Sequence, residues 1–433
     1  MTIDELHKHY QECNNVSTDT RKVKTNDIYF ALKGENFNGN SFANQALKQG
    51  AKYVVIDDEG IEKDFDKHRY LHVENSLTAL QKLAKFHRQF LNIPIIGLTG
   101  SNGKTTTKEL INAVLSQKFN TIATVGNLNN HIGVPLTLLS MNSSTEIGIV
   151  EMGANHKKEI EFLCEIAQPD FGYITNFGKA HLEGFGGIEG VIKGKSELYH
   201  YLKNNNKIAF VNLNDEKQIE LTKKFNIYTF GTSSASTSDT KINLIDNNQE
   251  LLSISYQDEF IQTHLTGQYN FYNISAAICI GNYFKVNTKD IKNGLENYIP
   301  TNNRSQIINN GSTKIILDAY NANPSSMQVA LENLNNLSGD SKIVFLGDMF
   351  ELGLEAENEH QNIAEQALNL NIKKIYLIGA NFNKIKLNSN KIVLYKSFED
   401  LKIDFKNINI ENSTILIKGS RGMALERILT LID

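Results

Sequence analysis

The segment Gly97–Leu110, GLTGSNGKTTTKEL, places three glycines immediately before a Lys-Thr pair. It follows the apolar run IPIIGLT and leads into a helical pattern that extends to about Gln117. A strand, a glycine-rich turn and a helix that begins with Lys-Thr are typical of a phosphate-binding loop, because backbone N–H groups and the helix N-terminus point at the anion. The usual spacing, G-x-x-x-x-G-K-[ST], needs glycine where this chain has Leu98. We therefore predict a variant loop that binds ATP or GTP phosphates.

Apolar strands alternate with helical patterns on both sides of this loop, as in EIGIVEM, FGYITNF and KIAFVNL. Such alternation indicates a parallel sheet covered on both faces. Residues 242–264 instead alternate polar and apolar side chains, which predicts an appended antiparallel segment. With 433 residues, about three domains are expected. The predicted fold is α/β, with three domains at residues 1–85, 86–300 and 301–433.

The composition excludes several classes of protein. The net charge of −4 gives no basic footprint for nucleic acid. The N-terminus is polar and acidic, unlike a signal peptide, and no apolar run approaches the roughly 18 residues that span a bilayer. The three cysteines are far apart and follow no metal or disulfide spacing. We expect a cytoplasmic protein with no nucleic-acid partner and no membrane insertion.

Three chemically active side chains follow the loop. Glu151 ends a predicted strand, where open α/β sheets bind their ligands, and His181 follows the next strand. Lys195 lies in the helical stretch IKGKSELY. With the Thr105 hydroxyl, Glu151 and a nearby His would suit Mg²⁺, which prefers oxygen ligands. Taken singly, each is also explained as an ordinary polar residue; their order behind a phosphate loop favours a site.

The segment TGSNGKTTT resembles the ATP loop of the Mur ligases, which has the same displaced glycine. This resemblance implies an ATP-dependent amide ligase, with a central P-loop ATPase domain, an N-terminal UDP-sugar-binding domain and a Rossmann-like C-terminal domain. In that family the strand-end Glu, the His and a carbamylated lysine organise two Mg²⁺ ions. KSELY matches the motif of that lysine. The implied metal ligands are Thr105, Glu151, His181 and Lys195 as its carbamate.

The resemblance also implies the residues that contact ATP, and it covers nearly the whole chain. GQYNFYNISAA matches a motif whose asparagines approach the nucleotide, although Tyr269 stands where His is common. Arg304 matches an arginine that reaches the ATP phosphates, and Leu317 replaces the first acid of a pair, which leaves Asp318. The expected ATP contacts are Thr99, Gly100, Ser101, Asn102, Gly103, Lys104, Thr105, Thr106, Asn270, Asn273, Arg304 and Asp318. The expected catalytic residues are Lys104, Glu151, His181, Lys195 and Arg304.

The details resemble the family members that add D-alanyl-D-alanine to UDP-N-acetylmuramoyl-tripeptide. The matching segments are STDTRKVKTNDIYFALKGENFNGNSF, GNLNNHIGVPLTLL, LDAYNANPSSM and LIKGSRGMALE. The implied substrate-binding residues are Thr18, Asp19, Thr20, Arg21, Asn38, Gly39, Asn127, Asn130, Asn321, Asn323, Ser420 and Arg421. We expect a monomer whose partners are these two small molecules.

Two alternatives stay open at this point. A related ligase could add diaminopimelate, lysine or glutamate, and a P-loop binding or switch protein would carry out no ligation. The residues do not reveal whether the third residue of the acceptor peptide is diaminopimelate or lysine.

Overall fold

The computed structural model describes residues 1–235, 237–245, 250–301, 303–339 and 341–432. In these residues the chain forms three successive α/β sheets, as predicted, together with one short separate hairpin. None of the helices in the same residues is both long and apolar enough to cross a bilayer.

The first sheet is small and parallel. Its strands are, in spatial order, Val16–Ser17, Ile28–Phe30, Tyr53–Ile56 and Tyr70–His72. The hairpin pairs Lys33–Gly34 with Phe37–Asn38. Helices occupy Ile3–Gln11, Ala43–Lys48 and Ser76–Leu91. The last of these contains the expected boundary after residue 85, so that boundary does not fall in a loop.

The central sheet has nine strands in the described residues. In spatial order they are Glu259–Thr266, Leu251–Tyr256, Thr240–Ile245, Asn226–Gly231, Ile208–Asn212, Phe171–Ile174, Ile95–Thr99, Ile147–Glu151 and Thr121–Ala123. The three strands after residue 239 pair antiparallel with one another, and the others pair parallel. The predicted antiparallel segment is thereby confirmed, except that residues 246–249 lie outside the described part of the chain.

Helices cover both faces of the central sheet. They are Lys104–Leu115, Gly133–Leu139, Glu159–Ala167, Leu182–Phe185, Ile188–Lys195, Glu197–Asn204, Glu216–Leu221, Tyr269–Tyr283 and Thr288–Glu296. The helical stretch IKGKSELY predicts one continuous helix around Lys195. The structure has two helices there, Ile188–Lys195 and Glu197–Asn204. The Ser196 hydroxyl donates to the Ile192 carbonyl at 2.6 Å, and such back-bonding bends helices.

The third sheet runs, in spatial order, through Gln306–Asn310, Thr313–Asp318, Thr414–Lys418, Lys342–Gly347, Lys374–Ile378 and Ile392–Tyr395. Its first strand is antiparallel and the others are parallel. The helices of this domain are Pro324–Asn336, Ala356–Asn369, Phe398–Asp404 and Leu429–Ile432. The four inner strands lie at the apolar runs KIILDAY, KIVFLGD, KIYLIG and TILIKG.

A buried histidine pair joins the first helix to the helix that leads into the central domain. His7 Nε2 lies 3.0 Å from His87 Nδ1, and His87 Nε2 lies 2.9 Å from the Met141 carbonyl oxygen. The His87 Nε2–H therefore donates to Met141, and its Nδ1 accepts from His7. Once His87 is protonated, both of its ring nitrogens are donors, so its Nδ1 can no longer accept from His7.

We expect this pair to make the protein less stable in acid. Burial, reinforced by His87, lowers the pKa of His7 from its ordinary 6.5 to about 4. Between pH 6.5 and 4 the unfolded chain therefore binds more protons than the folded protein. As the pH is lowered through that window, the contribution of His7 should reduce the free energy of unfolding by about 3 kcal/mol. Urea unfolding at a series of pH values measures this slope.

Two variants separate this effect from general acid titration. His7→Phe should flatten the slope, and His68→Gln, which alters an exposed histidine of the same domain, should leave it unchanged. An unaltered slope in His7→Phe would refute the assignment.

Candidate functional site

A cavity of about 950 Å³ lies between the central and third domains. The phosphate loop, Glu151 and the segment after it line one wall. Side chains between positions 304 and 326, with others near 350 and 420, line the opposite wall. Four of the five residues expected to act in catalysis, Lys104, Glu151, His181 and Arg304, thus line one cavity, and Lys195 does not line it.

Two glycines of the loop are required by its geometry. Gly100 has φ +142°, and a Cβ there would lie 2.0 Å from Thr175 Oγ1. Gly103 has φ +77°, and a Cβ there would lie 2.6 Å from Asn273 Oδ1. Both close approaches and both left-handed angles exclude a side chain. Contacts with Thr175 and Asn273 therefore require glycine at positions 100 and 103 of this variant loop.

Lys104 begins the helix after the loop and folds back over it. Its Nζ donates to the carbonyl oxygens of Gly100 at 2.8 Å and Ser101 at 3.1 Å. Burial lowers the pKa of this ammonium, Arg304 acts in the same direction and Glu151 opposes them. The two hydrogen bonds hold the Lys104 ammonium over the loop.

The loop is held in place from two domains. Asn176 Oδ1 accepts from the Asn102 amide, and Asn176 Nδ2 donates to the Asn102 carbonyl. Asn323 of the third domain donates to Asn102 Oδ1 at 2.7 Å and also caps the helix Pro324–Asn336. Asn176 was not among the predicted site residues. Asn323 was predicted to bind substrate, and here it contacts the ATP loop.

Glu151 is almost fully buried at the end of its strand. Its Oε1 accepts from Asn129 Nδ2 at 2.8 Å. Its Oε2 has no hydrogen-bond partner among the described residues. A buried carboxylate oxygen without a partner is costly, unless a cation or donor occupies the space beside it. This atom is the clearest sign of an absent positive group.

Lys195 is fully buried beside the cavity wall. Its Nζ donates to the Ala154 carbonyl at 2.9 Å and lies 5.0 Å from the ring centroid of Phe185. Burial lowers the pKa of Lys195 well below its usual value, with Lys104 acting in the same direction. The carboxylates of Glu159 and Glu197 oppose this lowering of the Lys195 pKa.

His181 contacts the third domain rather than Glu151. Its Nδ1 forms a short hydrogen bond with Glu351 Oε2, and this bond lowers the pKa of the Glu351 carboxyl. Within the described residues no group of three or more His, Cys, Asp or Glu side chains could hold a metal ion. His181 and Glu151 do line the same cavity. A metal here would depend on few protein ligands, as Mg²⁺ often does with phosphate and water.

Arg304 enters the cavity from the third domain. Its guanidinium carbon lies 3.7 Å from the ring centroid of Tyr320. Its Nε is buried and has no hydrogen-bond partner in the described residues. A stacked guanidinium with a free donor is well suited to bind an anion.

Other predicted ATP contacts are arranged around the loop. Asn270 and Asn273 line the cavity and bond to each other at 2.8 Å, and Asn273 also accepts from Thr107. Ser101, Thr105 and Thr106 face the cavity. Thr99 and Gly100 do not, and the Thr99 hydroxyl donates to the Met152 carbonyl.

The third-domain residues fall into two groups. Asp318 accepts from Lys418 at 2.5 Å, and Lys418 also donates to the Asn321 carbonyl. Lys418 therefore links Asp318 to Asn321. Ser420 accepts from the Phe350 amide, and Arg421 pairs with Glu426 at 2.8 Å. Asp318, Asn321, Ser420 and Arg421 all line the cavity.

The residues expected to bind substrate on the central and first domains are more scattered. Asn127 and Asn130 line the cavity, and Asn130 Oδ1 accepts from the Gly133 amide at a helix start. Thr18, Asp19, Thr20, Arg21, Asn38 and Gly39 line neither this cavity nor the next. Arg21 pairs with Asp19 at 2.9 Å. Their role in binding stays a prediction.

A second cavity of about 1330 Å³ adjoins the phosphate loop on its other side. Asn102, Gly103, Tyr269 and Asn273 line both cavities. The second also has acidic side chains, among them Asp215 and Glu250, and apolar ones such as Leu252. A ligand with a phosphate chain on the loop would extend its remaining part into one of these two spaces.

Three family models match the chain in succession. "Mur ligase family, catalytic domain" matches residues 12–88, "Mur ligase middle domain" matches 98–281, and "Mur ligase, glutamate ligase domain" matches 303–421.

Relatives and solved structures match over nearly their full lengths. The UDP-N-acetylmuramoyl-tripeptide--D-alanyl-D-alanine ligase of Bacillus subtilis is 35% identical, covering 96% of this chain and 92% of that protein. The Escherichia coli ligase of the same name is 32% identical, covering 96% and 93%. MurF from Acinetobacter baumannii superposes with a TM-score of 0.87 at 28% identity, covering 100% and 98%. MurF from Thermotoga maritima in complex with ADP gives 0.82 at 27% identity, covering 98% and 97%.

Proposed function

We propose that this chain, which belongs to the Mur ligase family, is an ATP-dependent ligase that joins D-alanyl-D-alanine to UDP-N-acetylmuramoyl-tripeptide. Relatives that carry this activity in their names match 96% of the chain at 32–35% identity. The observation that carries the proposal is the convergence of Lys104, Arg304 and the partnerless Glu151 oxygen on one cavity.

The reaction divides into two steps. The terminal carboxylate of the tripeptide attacks the γ-phosphorus of ATP, which forms an acyl phosphate and releases ADP. The amine of D-alanyl-D-alanine then attacks the acyl carbon, loses a proton and expels phosphate, which leaves an amide. Lys104 and Arg304 counter the negative charge on the transferring phosphoryl group, and this electrostatic role is the main task of a phosphoryl-transfer site.

Magnesium fits the residues on the central-domain wall. Glu151 offers a buried oxygen without a partner, and Thr105 offers a hydroxyl at the helix start. These two oxygens, with His181, would hold Mg²⁺ beside the phosphates. When bound, the ion would supply positive charge that offsets the negative charge of the phosphates. Two ions are proposed, as the family resemblance implies.

We further propose that Lys195 carries a carbamate. A neutral amine reacts with CO₂ to give R–NH–COO⁻ and a proton, and burial of Lys195 favours that neutral form. The product would be an anion beside the cationic groups of the cavity. An ammonium in the same place would repel Mg²⁺.

The Lys195→Ala variant should lose about two orders of magnitude in the rate of phosphate release, because the negative charge that helps to hold Mg²⁺ beside the phosphates would be absent. Lys193→Ala, which alters an exposed lysine of the same helix, should keep its activity. The modification itself is measured by ¹³C NMR of protein equilibrated with ¹³C-bicarbonate. Full activity of Lys195→Ala in bicarbonate-free buffer would refute the proposal. So would a spectrum in which the unsubstituted protein shows no carbamate signal, or shows one that persists in Lys195→Ala.

The remaining substrates are assigned to separate regions. We place the adenosine of ATP in the 1330 Å³ cavity, since it meets the phosphate loop at Gly103. The first domain would bind the UDP-sugar, and the third domain would bind D-alanyl-D-alanine near Asn321 and Arg421. A cytoplasmic monomer is proposed.

The test is phosphate release from ATP with Mg²⁺, the UDP-tripeptide and D-alanyl-D-alanine, with each omitted in turn. We expect release to require all of them and the product to gain the mass of one dipeptide residue. Release that ignores D-alanyl-D-alanine but responds to another amino acid would retain the ligase chemistry and overturn the substrate. ATP binding without coupled release would favour a switch protein.

A further inference from the structure

Tyr269 connects the central domain to the corner that carries Arg304. It is the first residue of the helix Tyr269–Tyr283, and its OH lies 2.7 Å from Ser305 Oγ in the third domain. Its ring fills the space above Gly267, where a Cβ would lie 2.3 Å from the ring. The ring of Tyr269 thus packs against Gly267, and its hydroxyl bonds to Ser305 at the junction of the two domains.

The backbone around Arg304 is unusual on both sides. Asn303 has φ +57° and Ser305 has φ +49°. Left-handed angles at residues other than glycine are unfavourable and persist only where surrounding contacts enforce them. Two contacts hold Ser305: the one from Tyr269, and its own amide donating to Asp318 Oδ1 at 3.2 Å. Ser305 is therefore clamped from two domains, directly beside Arg304.

Within the described residues, the Arg304 side chain is held by stacking and not through its Nε. Its guanidinium stacks on Tyr320, and its buried Nε has no hydrogen-bond partner within the described residues. The direction in which the side chain leaves the backbone is consequently set by the corner at Ser305.

We propose that Tyr269 is a positioning residue that aims Arg304 at the transferring phosphoryl group by holding Ser305 across the domain junction. This inference rests on the proposed function and assigns a role to a side chain that the ligation steps do not use. The contact requires that the two domains be docked, so it links docking of the third domain to correct placement of its arginine. Asp318, already paired with Lys418, supports the same corner from the third-domain side.

The test compares kcat and KM in the phosphate-release assay. Tyr269→Phe keeps the ring and removes the hydroxyl, and Ser305→Ala removes its partner. Each should lower kcat about tenfold, the effect expected of one lost positioning hydrogen bond, and leave the KM for D-alanyl-D-alanine unchanged. The double variant should be no slower than either single one, because both remove the same contact. Tyr283→Phe, at the far end of the same helix, should match the unsubstituted enzyme in kcat and in thermal unfolding.

The decisive comparison uses the Arg304→Ala background. There Tyr269→Phe should cause no further loss, because no arginine remains to be aimed. A full tenfold loss in that background, or an unchanged kcat for Tyr269→Phe in the otherwise unsubstituted enzyme, would overturn the inference. Failure of the proposed function is recognised separately, since the unsubstituted enzyme would then not couple phosphate release to all its substrates.

Discussion

Lys104→Met is expected to slow phosphate release at least about a thousandfold, the largest effect of any single substitution considered. Lys104 is the only ammonium seated on the loop within the described residues, and its Nζ is bound to the Gly100 and Ser101 carbonyls. Those bonds hold the charge at the place where the phosphates bind. Methionine keeps the length of the side chain and removes the charge.

The measurement is kcat for phosphate release, together with the affinity for a fluorescent ADP analogue. Lys118→Met is the matched control, because Lys118 follows the same helix and is exposed. It should retain both activity and nucleotide affinity. If Lys104→Met released phosphate at a rate within tenfold of the unsubstituted enzyme, the loop would not be the site of phosphoryl transfer.

The loop and its strand could be read from the sequence because their chemistry is local. A strand, two glycines and Lys104 are contiguous, and the backbone angles at Gly100 and Gly103 exclude other residues. Glu151 was also predictable, since a carboxylate at a parallel strand end lies at the ligand edge of the sheet. These positions depend on a single unit of strand, turn and helix.

The contacts between distant segments were not predictable in the same way. Asn323 reaches Asn102 across 221 residues, and no local pattern selects that partner. Asn176 reaches Asn102 only because Thr99 and Ile174 are paired in neighbouring strands. Such partners depend on register and domain docking, which a motif does not encode.

Two predicted site residues, His181 and Arg21, form ion pairs in the structure that no local pattern predicts. His181 was expected to act beside Glu151, but its ring bonds to Glu351 of the third domain. Arg21 was expected to bind substrate, and its guanidinium pairs with the neighbouring Asp19. The roles of His181 and Arg21 stay predictions, and the partner that each has in the structure depends on which opposite charge the fold brings closest.

Glu151→Gln is expected to lower phosphate release by about two orders of magnitude and to raise the Mg²⁺ concentration needed for half-maximal rate. Glutamine has nearly the same shape, and its carbonyl oxygen can still accept from Asn129 Nδ2. What it lacks is the negative charge at the buried Oε2, where no protein donor lies within the described residues. Because a partnerless buried carboxylate is costly in the metal-free protein, the variant should unfold at an equal or higher temperature without Mg²⁺.

This combination separates a metal ligand from a structural carboxylate. Removing a structural carboxylate would lower both stability and activity, whereas removing a metal ligand should lower activity alone. Glu146→Gln is the control, because Glu146 directly precedes the same strand, is exposed and bonds to the Asn120 amide. It should leave the dependence of the rate on Mg²⁺ unchanged. A Glu151→Gln enzyme with an unchanged Mg²⁺ dependence would show that the cation is held elsewhere, and the partnerless oxygen would then need a different explanation.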